Sequence, residues 1–460
     1  MATHVLSLQL GSTNISLVAS NVTLLDYAPQ SASPRAQGYG QEIYAIESGT
    51  VTETVRVLLT GSTGADVQST IASIERMIED IHRRQRTRTG NRGYLYLRLG
   101  SDSETWRSEI LYARLQADDN ALRHLNIPAV EALLFITRRP FWETVTEREI
   151  PLDNGSAGGK ATGGVTIYNH DDGDANHDNW VDVAAVDVAG NLPAPLRITM
   201  TNSSGVNLST RKIYIANNYG TTPSSFVHMV EGEAAASISI QTAFGNQGGN
   251  FGRASWTGAS THATNRFVWT LGAAQLALMG GGFYRVVCRF ANTPPTNIEV
   301  QLHTKFSAAL PLTTFWSGPR MTMSSDLLQD LGVVQLPPGV PSTSADDIGF
   351  VLTVSFPSTS QLDIDFIQLT PAESTRNIQQ ISDPIPNGDV IVCDGPEKRN
   401  YIIETSSGYQ WNIFSAQENV VYAWPNRAQR LIFLHDEATT MNIARTWSVR
   451  AYYRPRRSTL

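Results

Sequence analysis

One fold in this chain is cut in two. Residues Val165 to Asn217 carry the short alternating runs of the opening strands of a β-sandwich, and Asn387 to Arg454 carry those of its closing strands. Between them lies a block about the size of a small domain, with its own beginning and its own end. A β-sandwich that holds a domain in a loop is a scaffold displaying a module. That constrains the chain to a mainly β architecture with a binding or structural role.

The bulk numbers agree. At 460 residues the chain is too long for one core, and length suggests roughly three domains. Charged residues make up 17%, with 35 Gly and 22 Pro, a balance that favours turns and short strands over long helices. A net charge of −7 argues against sequence-specific or phosphate-neutralising nucleic-acid binding. Two cysteines, Cys288 and Cys393, build neither a disulfide framework nor a cysteine metal site. Both stand in apolar strand contexts and are expected as buried thiols. No apolar run reaches the roughly 18 residues that span a bilayer. Met1 to Val18 alternates without a signal-peptide apolar block, so synthesis in a cytoplasm is expected.

Residues 1–153 read as a β-sandwich or barrel closed by one helix. Strands are expected at His4–Leu10, Val51–Leu59, Gly93–Leu99, Ser108–Leu115 and Ala129–Arg138. The helix spans Asp66 to about Arg84, because Val67, Ile71, Ile74, Ile78 and Ile81 form one apolar stripe. Asp66 is the expected cap, and His82-Arg83-Arg84 places cations at the helix C-terminus. The basic run continues through Arg86 and Arg88. It is either a solvated helix end or a subunit-contact loop whose arginines meet acidic groups on a neighbour. Asn154 to Gly164 is a Gly/Ser linker. The split sandwich then occupies 154–217 and 373–460, around an inserted block at 218–372. Many short strands with Gly, Ser, Thr and Asn turns make that block a β jelly roll.

Several runs carry a family resemblance. Leu133-Leu134-Phe135-Ile136-Thr137-Arg138-Arg139-Pro140-Phe141-Trp142-Glu143 resembles the exit from the N-terminal domain of siphophage distal tail proteins. Gly190-Asn191-Leu192-Pro193-Ala194-Pro195 resembles the opening of that family's C-terminal domain. Asn387 to Asp394 and Trp447 to Arg456 resemble its close. The resemblance covers roughly two-thirds of the chain. It implies a tail-tube-like N-terminal domain that closes into a ring, commonly a hexamer, and a galectin-like sandwich outside it. Heterologous contacts that close would give such a ring its symmetry. The implied partners are further copies of the chain, the tail tube protein, and tail-tip hub and fibre proteins. The implied location is the virion tail, made in the host cytoplasm.

The inserted block resembles jelly-roll carbohydrate-binding modules through Val230-Glu231-Gly232-Glu233-Ala234 at its start and Leu362-Asp363-Ile364-Asp365-Phe366-Ile367 at its end. In such modules the two ends meet at a structural calcium site, which carries over to Glu231, Glu233 and Asp365. The alternative is solvent-facing carboxylates. Hard oxygen ligands from adjacent strands suit Ca²⁺. Sugar binding needs flat aromatic faces beside hydrogen-bonding groups. Trp256 and Trp316 are the candidates, because they stand in Gly/Ser-containing stretches that read as loops. The acidic loop is a second metal candidate through Asp172, Asp174, Asn176 and Asp178, although Val183 stands where a bidentate Glu would close such a site. A solvated Asx-turn loop is the alternative there.

No Gly-x-Ser-x-Gly elbow, His-Glu-x-x-His or phosphate loop is present, and no enzyme is expected. The reading is a structural tail-tip protein with a peripheral module for host-surface glycan contact. The alternatives are a soluble modular carbohydrate-binding protein, or another tail component such as a tube or fibre-attachment protein.

Overall fold

The structure is a computed structural model. It describes the chain apart from residues 1–4, 32–33, 40–41, 88–90, 101, 118–127, 156–158, 169–177, 221–228, 237, 243–249, 260, 263–264, 272–281, 307–312, 337–347, 379–380, 382–383, 414–419, 438–444 and 460. It is mainly β with one long helix among the described residues, and its chain groups into two compact units.

The first unit contains Met1–Arg148, Ala189–Leu192 and Arg454–Leu460. Its sheet runs in the order Thr13–Ser16, Val5–Leu10, Gly93–Arg98, Trp106–Ala117, Ala129–Arg138, Val51–Thr60, Val22–Asp26, all antiparallel. The two end strands, Thr13–Ser16 and Val22–Asp26, are joined by a five-residue connection. So short a connection cannot cross an open sheet, and the sheet curls almost into a barrel. In Val51–Thr60, Val51, Val55, Val57 and Leu59 point inward while Thr52, Thr54 and Arg56 point out. This is the period-2 pattern of a half-buried strand.

The helix runs from Gly64 to Thr87, longer at both ends than the apolar stripe alone indicates. Every residue of the stripe is buried, together with Met77. Its start differs from expectation. Thr63 precedes the helix, and Asp66 is its third residue. The Thr63 N–H donates to Asp66 Oδ2 at 2.8 Å and the Asp66 N–H donates to Thr63 Oγ1 at 3.3 Å. The cap is therefore a reciprocal box, with Thr63 rather than Asp66 at its head. Gly93 lets the helix approach, since a methyl group there would collide with the Ile81 side chain.

Residues 189–192 and 454–460, expected in the sandwich, return to this unit. Trp142 and Glu143 pair with Arg457 and Arg456, and Glu143 and Thr144 also pair with Arg107 and Trp106. Glu143 accepts hydrogen bonds from both Arg107 and Arg456.

The second unit holds two stacked sandwiches. In the first, Arg197–Asn202 is hydrogen-bonded on one side to Trp447–Tyr453 and on the other to Val390–Asp394. A strand read before the inserted block is thus central between two strands read after it. Neither half could bury its apolar face without the other. The facing sheet runs Trp180–Val183, Ala428–Glu437, Thr210–Gly220, Thr375–Ile378. Ile198, Met200, Ile213, Phe433 and Trp447 lie in the core between the two sheets.

The inserted block forms its own two sheets. One runs Ser239–Thr242, Asn250–Trp256, Ser360–Pro371, Gly282–Phe290, Leu328–Leu336, and the other Asn265–Leu271, Ile348–Ser355, Glu299–Phe306, Thr313–Thr322. Phe267, Trp269, Phe290, Leu352 and Ile364 lie in the core they enclose. Ser360–Pro371 is buried on both faces over most of its length. Its second face packs on the split sandwich, where Phe366, Val287 and Leu328 meet Tyr214, Ile432 and Leu434. Lys212 of the sandwich pairs with Asp326 of the block at 2.6 Å. The block is therefore packed onto its scaffold through an apolar patch flanked by an ion pair. Both cysteines are free and buried, and burial raises the pKa of each thiol.

His435 lies in Ala428–Glu437 with its ring edge-on to Trp447 at 5.7 Å. Its pKa is lowered to about 3, first by burial and then by the charge of Arg289. The unfolded value of about 6.5 is higher, so the unfolded chain takes up the proton first. The stability from neutral His435 is present above pH ~6.5 and is lost as pH falls toward 3, by roughly 1.4 kcal/mol per pH unit. Thermal melts between pH 7 and pH 5 are expected to show that decline. His435→Leu is expected to flatten it, and an unchanged slope would refute the assignment.

Candidate functional sites

The basic helix end is expected to be either a solvated end or a subunit contact. Arg83 pairs with Asp80 at 2.9 Å and Arg86 with Glu79 at 2.5 Å, both within the helix. Exposed pairs of this kind hold little energy and remain open to exchange for another acid. Arg84 is half-buried, and Arg88 lies outside the described residues. Of the acidic loop, Asp172, Asp174 and Asn176 lie outside them too. Asp178 is buried, and its carbonyl accepts the Tyr168 N–H at 2.9 Å.

The two ends of the inserted block do meet. Met229–Glu231 pairs with Gln368–Phe366. Gly232 of the Glu-Gly-Glu run is a close approach, since a methyl group there would collide with the Ile364 carbonyl oxygen. The three carboxylates nevertheless do not converge. Asp365 is 0% exposed and pairs with Arg289 at 3.5 Å. The neighbouring Asp363 is held by Arg253 at 2.7 and 2.8 Å and by Asn292 at 2.7 Å. Glu233 stays near Glu231. Burial raises the Glu233 pKa, its own backbone N–H opposes the shift, and the Glu231 charge adds to it. Among the described residues no three His, Cys, Asp or Glu side chains form a metal-holding group. Glu231 and Glu233 would need backbone carbonyl and water oxygens beside them to reach the roughly six to eight that Ca²⁺ takes.

The two tryptophans are not in loops. Trp256 ends the strand Asn250–Trp256, is 6% exposed, and stacks on Phe356 with ring centroids 4.2 Å apart. A ring covered to that degree offers no free face to a sugar. Trp316 lies within Thr313–Thr322, partly buried against the block's core, with its indole over Gly318.

Sequence reasoning missed a polar strip on the other sheet of the block. His262 Nε2 lies 2.9 Å from Glu299 Oε1, and its Nδ1 lies 3.1 Å from the Thr353 hydroxyl. His303 Nε2 lies 3.0 Å from the same hydroxyl, and its Nδ1 lies 2.8 Å from Ser317 Oγ. Burial, then Lys305 and His262, lower the His303 pKa to about 4, so the ring is neutral near pH 7 and a weak base. The strip satisfies hydrogen bonds across strands. The alternation Glu299, Gln301, His303, Lys305 was the available signal.

No family profile matches the chain, and no curated protein matches it. Among solved structures it is similar to the SPP1 Dit (gp 19.1) protein, described as a paradigm of hub adsorption apparatus in Gram-positive infecting phages. The identity is 7%, the coverage 98% of both chains and the TM-score 0.33. It is also similar to a chain of the phage p2 baseplate in its activated conformation with Sr, at 7% identity over 80% of this chain and 99% of that one, with a TM-score of 0.26. The corresponding structure with Ca matches at 7% identity over 94% and 98%, with a TM-score of 0.28.

Proposed function

We propose that the chain is a structural component of a phage or phage-like tail tip, of the distal tail protein kind. Its first unit closes with further copies into a ring, in line with the tail tube. Its split sandwich displays the inserted block toward the host surface. The observation that carries this reading is the interruption itself: Arg197–Asn202 is bonded on both flanks by strands that follow the insertion. The inserted block is therefore a passenger on a completed scaffold. The run that bears the resemblance, Leu133 to Glu143, supports it too, since it contains Arg138 and Trp142, both wholly buried in the first unit.

The test is the solution mass of the purified chain and its appearance in negative stain. A hexameric ring with a central channel is expected. A chain that stays monomeric at high concentration favours the free-standing binding module. Ile74→Asp is a poor probe of assembly, because Ile74 is core and its loss unfolds the unit. Leu25 is the better one. It is 43% exposed on the end strand Val22–Asp26, where unpaired backbone groups invite a neighbour. Leu25→Lys is expected to leave the melting temperature within about 2 °C while lowering the ring fraction severalfold. An unchanged ring fraction would remove this edge from the interface.

A further inference from the structure

The split sandwich carries a cleft that the tail-tip reading does not use. Its longer sheet ends in the hairpin Arg399–Ile403 and Gln410–Ile413, and Ile402 faces Trp411 across it. Cross-strand partners share a face. Ile402 and Ile413 pack on the core from that face. Trp411 continues their row past the end of the core, 61% exposed. An apolar ring left that open on a preformed strand is a platform rather than a packing element.

Beside Trp411 lies a cleft of about 380 Å³ lined by Ile402, Ile413, Asp389, Glu404 and Asn412. Its size falls at the small end of ordinary ligand sites, roughly 300–1,000 Å³. Its two carboxylates are each anchored by one oxygen. Asp389 Oδ1 accepts the Thr405 N–H at 2.9 Å, and Glu404 Oε2 accepts the Ser407 hydroxyl. The second oxygen of each has no hydrogen-bond partner among the described residues. None of the described lining residues is basic. The cleft thus combines a flat aromatic face and two oriented acceptors.

We propose that this cleft binds a short saccharide of neutral or amino pyranose units. The C–H face of one ring would stack on Trp411. Its hydroxyls would donate to Asp389 and Glu404. Two carboxylates without a basic partner exclude sialylated, uronic or phosphorylated sugars by like-charge repulsion. The proposal stands on the cleft's own chemistry and holds whether or not the chain forms a ring.

The test uses the full chain with glucose, galactose, N-acetylglucosamine, glucosamine and their β-linked disaccharides. Binding is followed by saturation-transfer NMR and tryptophan fluorescence. At least one sugar is expected to bind, and Trp411→Ala is expected to weaken it about tenfold or more. Glu404→Gln is expected to weaken it severalfold, and the circular dichroism of both variants should match the parent. Phe283→Ala, at an exposed aromatic of the inserted block, is the control and should bind as the parent does. The proposal fails if none of these sugars binds or if Trp411→Ala binds normally. It also fails if anionic sugars bind in preference, or if Trp411→Ala changes the oligomeric state, which would make the ring a protein contact.

Discussion

Glu53→Gln is expected to destabilise the first unit by about 3–5 kcal/mol. Glu53 and Arg138 are a wholly buried ion pair at 2.6 Å, on the neighbouring strands Val51–Thr60 and Ala129–Arg138. The Arg138 guanidinium also donates to the Gln30 carbonyl at 2.7 Å and the Arg139 carbonyl at 2.9 Å, and it lies 4.3 Å over the Trp142 ring. Glu53 accepts from the Tyr27 hydroxyl and the Gln30 N–H, each at 2.8 Å. Burial, then Glu53, push the Tyr27 pKa up, so the phenol remains a donor at all ordinary pH. The network ties the segment Tyr27–Gln30 to two core strands. Removing the carboxylate charge leaves a buried cation with only neutral acceptors, which is where the cost arises. It is a large share of the roughly 5–15 kcal/mol by which domains are stable. The helix Gly64–Thr87, the one α-helix among the described residues, belongs to this unit, so loss of helical ellipticity on heating follows it. A midpoint that moves by less than the equivalent of about 1 kcal/mol would refute the network's role. The double variant Glu53→Leu, Arg138→Met removes both charges and should be less harmful than Glu53→Gln.

The second large effect is at Asp365. Asp365→Ala removes the buried carboxylate paired with buried Arg289 and is expected to destabilise the inserted block and its seat on the sandwich by about 3–5 kcal/mol. The same residue separates two readings of the block. If its role is the Arg289 pair, the melting temperature of the parent protein is insensitive to EDTA and to added Ca²⁺. If it ligates calcium with Glu231 and Glu233, EDTA mimics the substitution and Ca²⁺ reverses it. The 3.5 Å pair with Arg289, together with the packing of Phe366 against Tyr214 and Ile432, leads us to expect the first outcome.

What was legible in the sequence was what depends on local geometry. A stripe at helical spacing and an alternation of period 2 follow from backbone geometry alone, so the helix and five strands of the first unit were readable, whereas the short strands Thr13–Ser16, Val22–Asp26 and Trp142–Thr144 were not. The interruption was expected from runs that resemble opening and closing strands, and Arg197–Asn202 lies between two strands that follow the inserted block. The helix cap shows the limit even locally: Asp66 was the expected cap, and the reciprocal hydrogen bonds put Thr63 at the head of the box.

Tertiary structure decided what covers each face. Alternation puts Asp363 and Asp365 on named faces of Ser360–Pro371, but it does not say that Arg253 and Arg289 wait there. It leaves Trp256 and Trp411 looking alike, each an aromatic in a polar stretch. One is capped by Phe356 and the other runs past the end of its core. Arg138 reads as a surface residue by type and is wholly buried because Glu53, 85 positions away, shares its hydrogen bond. The reason is common to all of these. A strand's sequence sets which side chains share a side, whereas burial and pairing depend on partners brought in from distant parts of the chain.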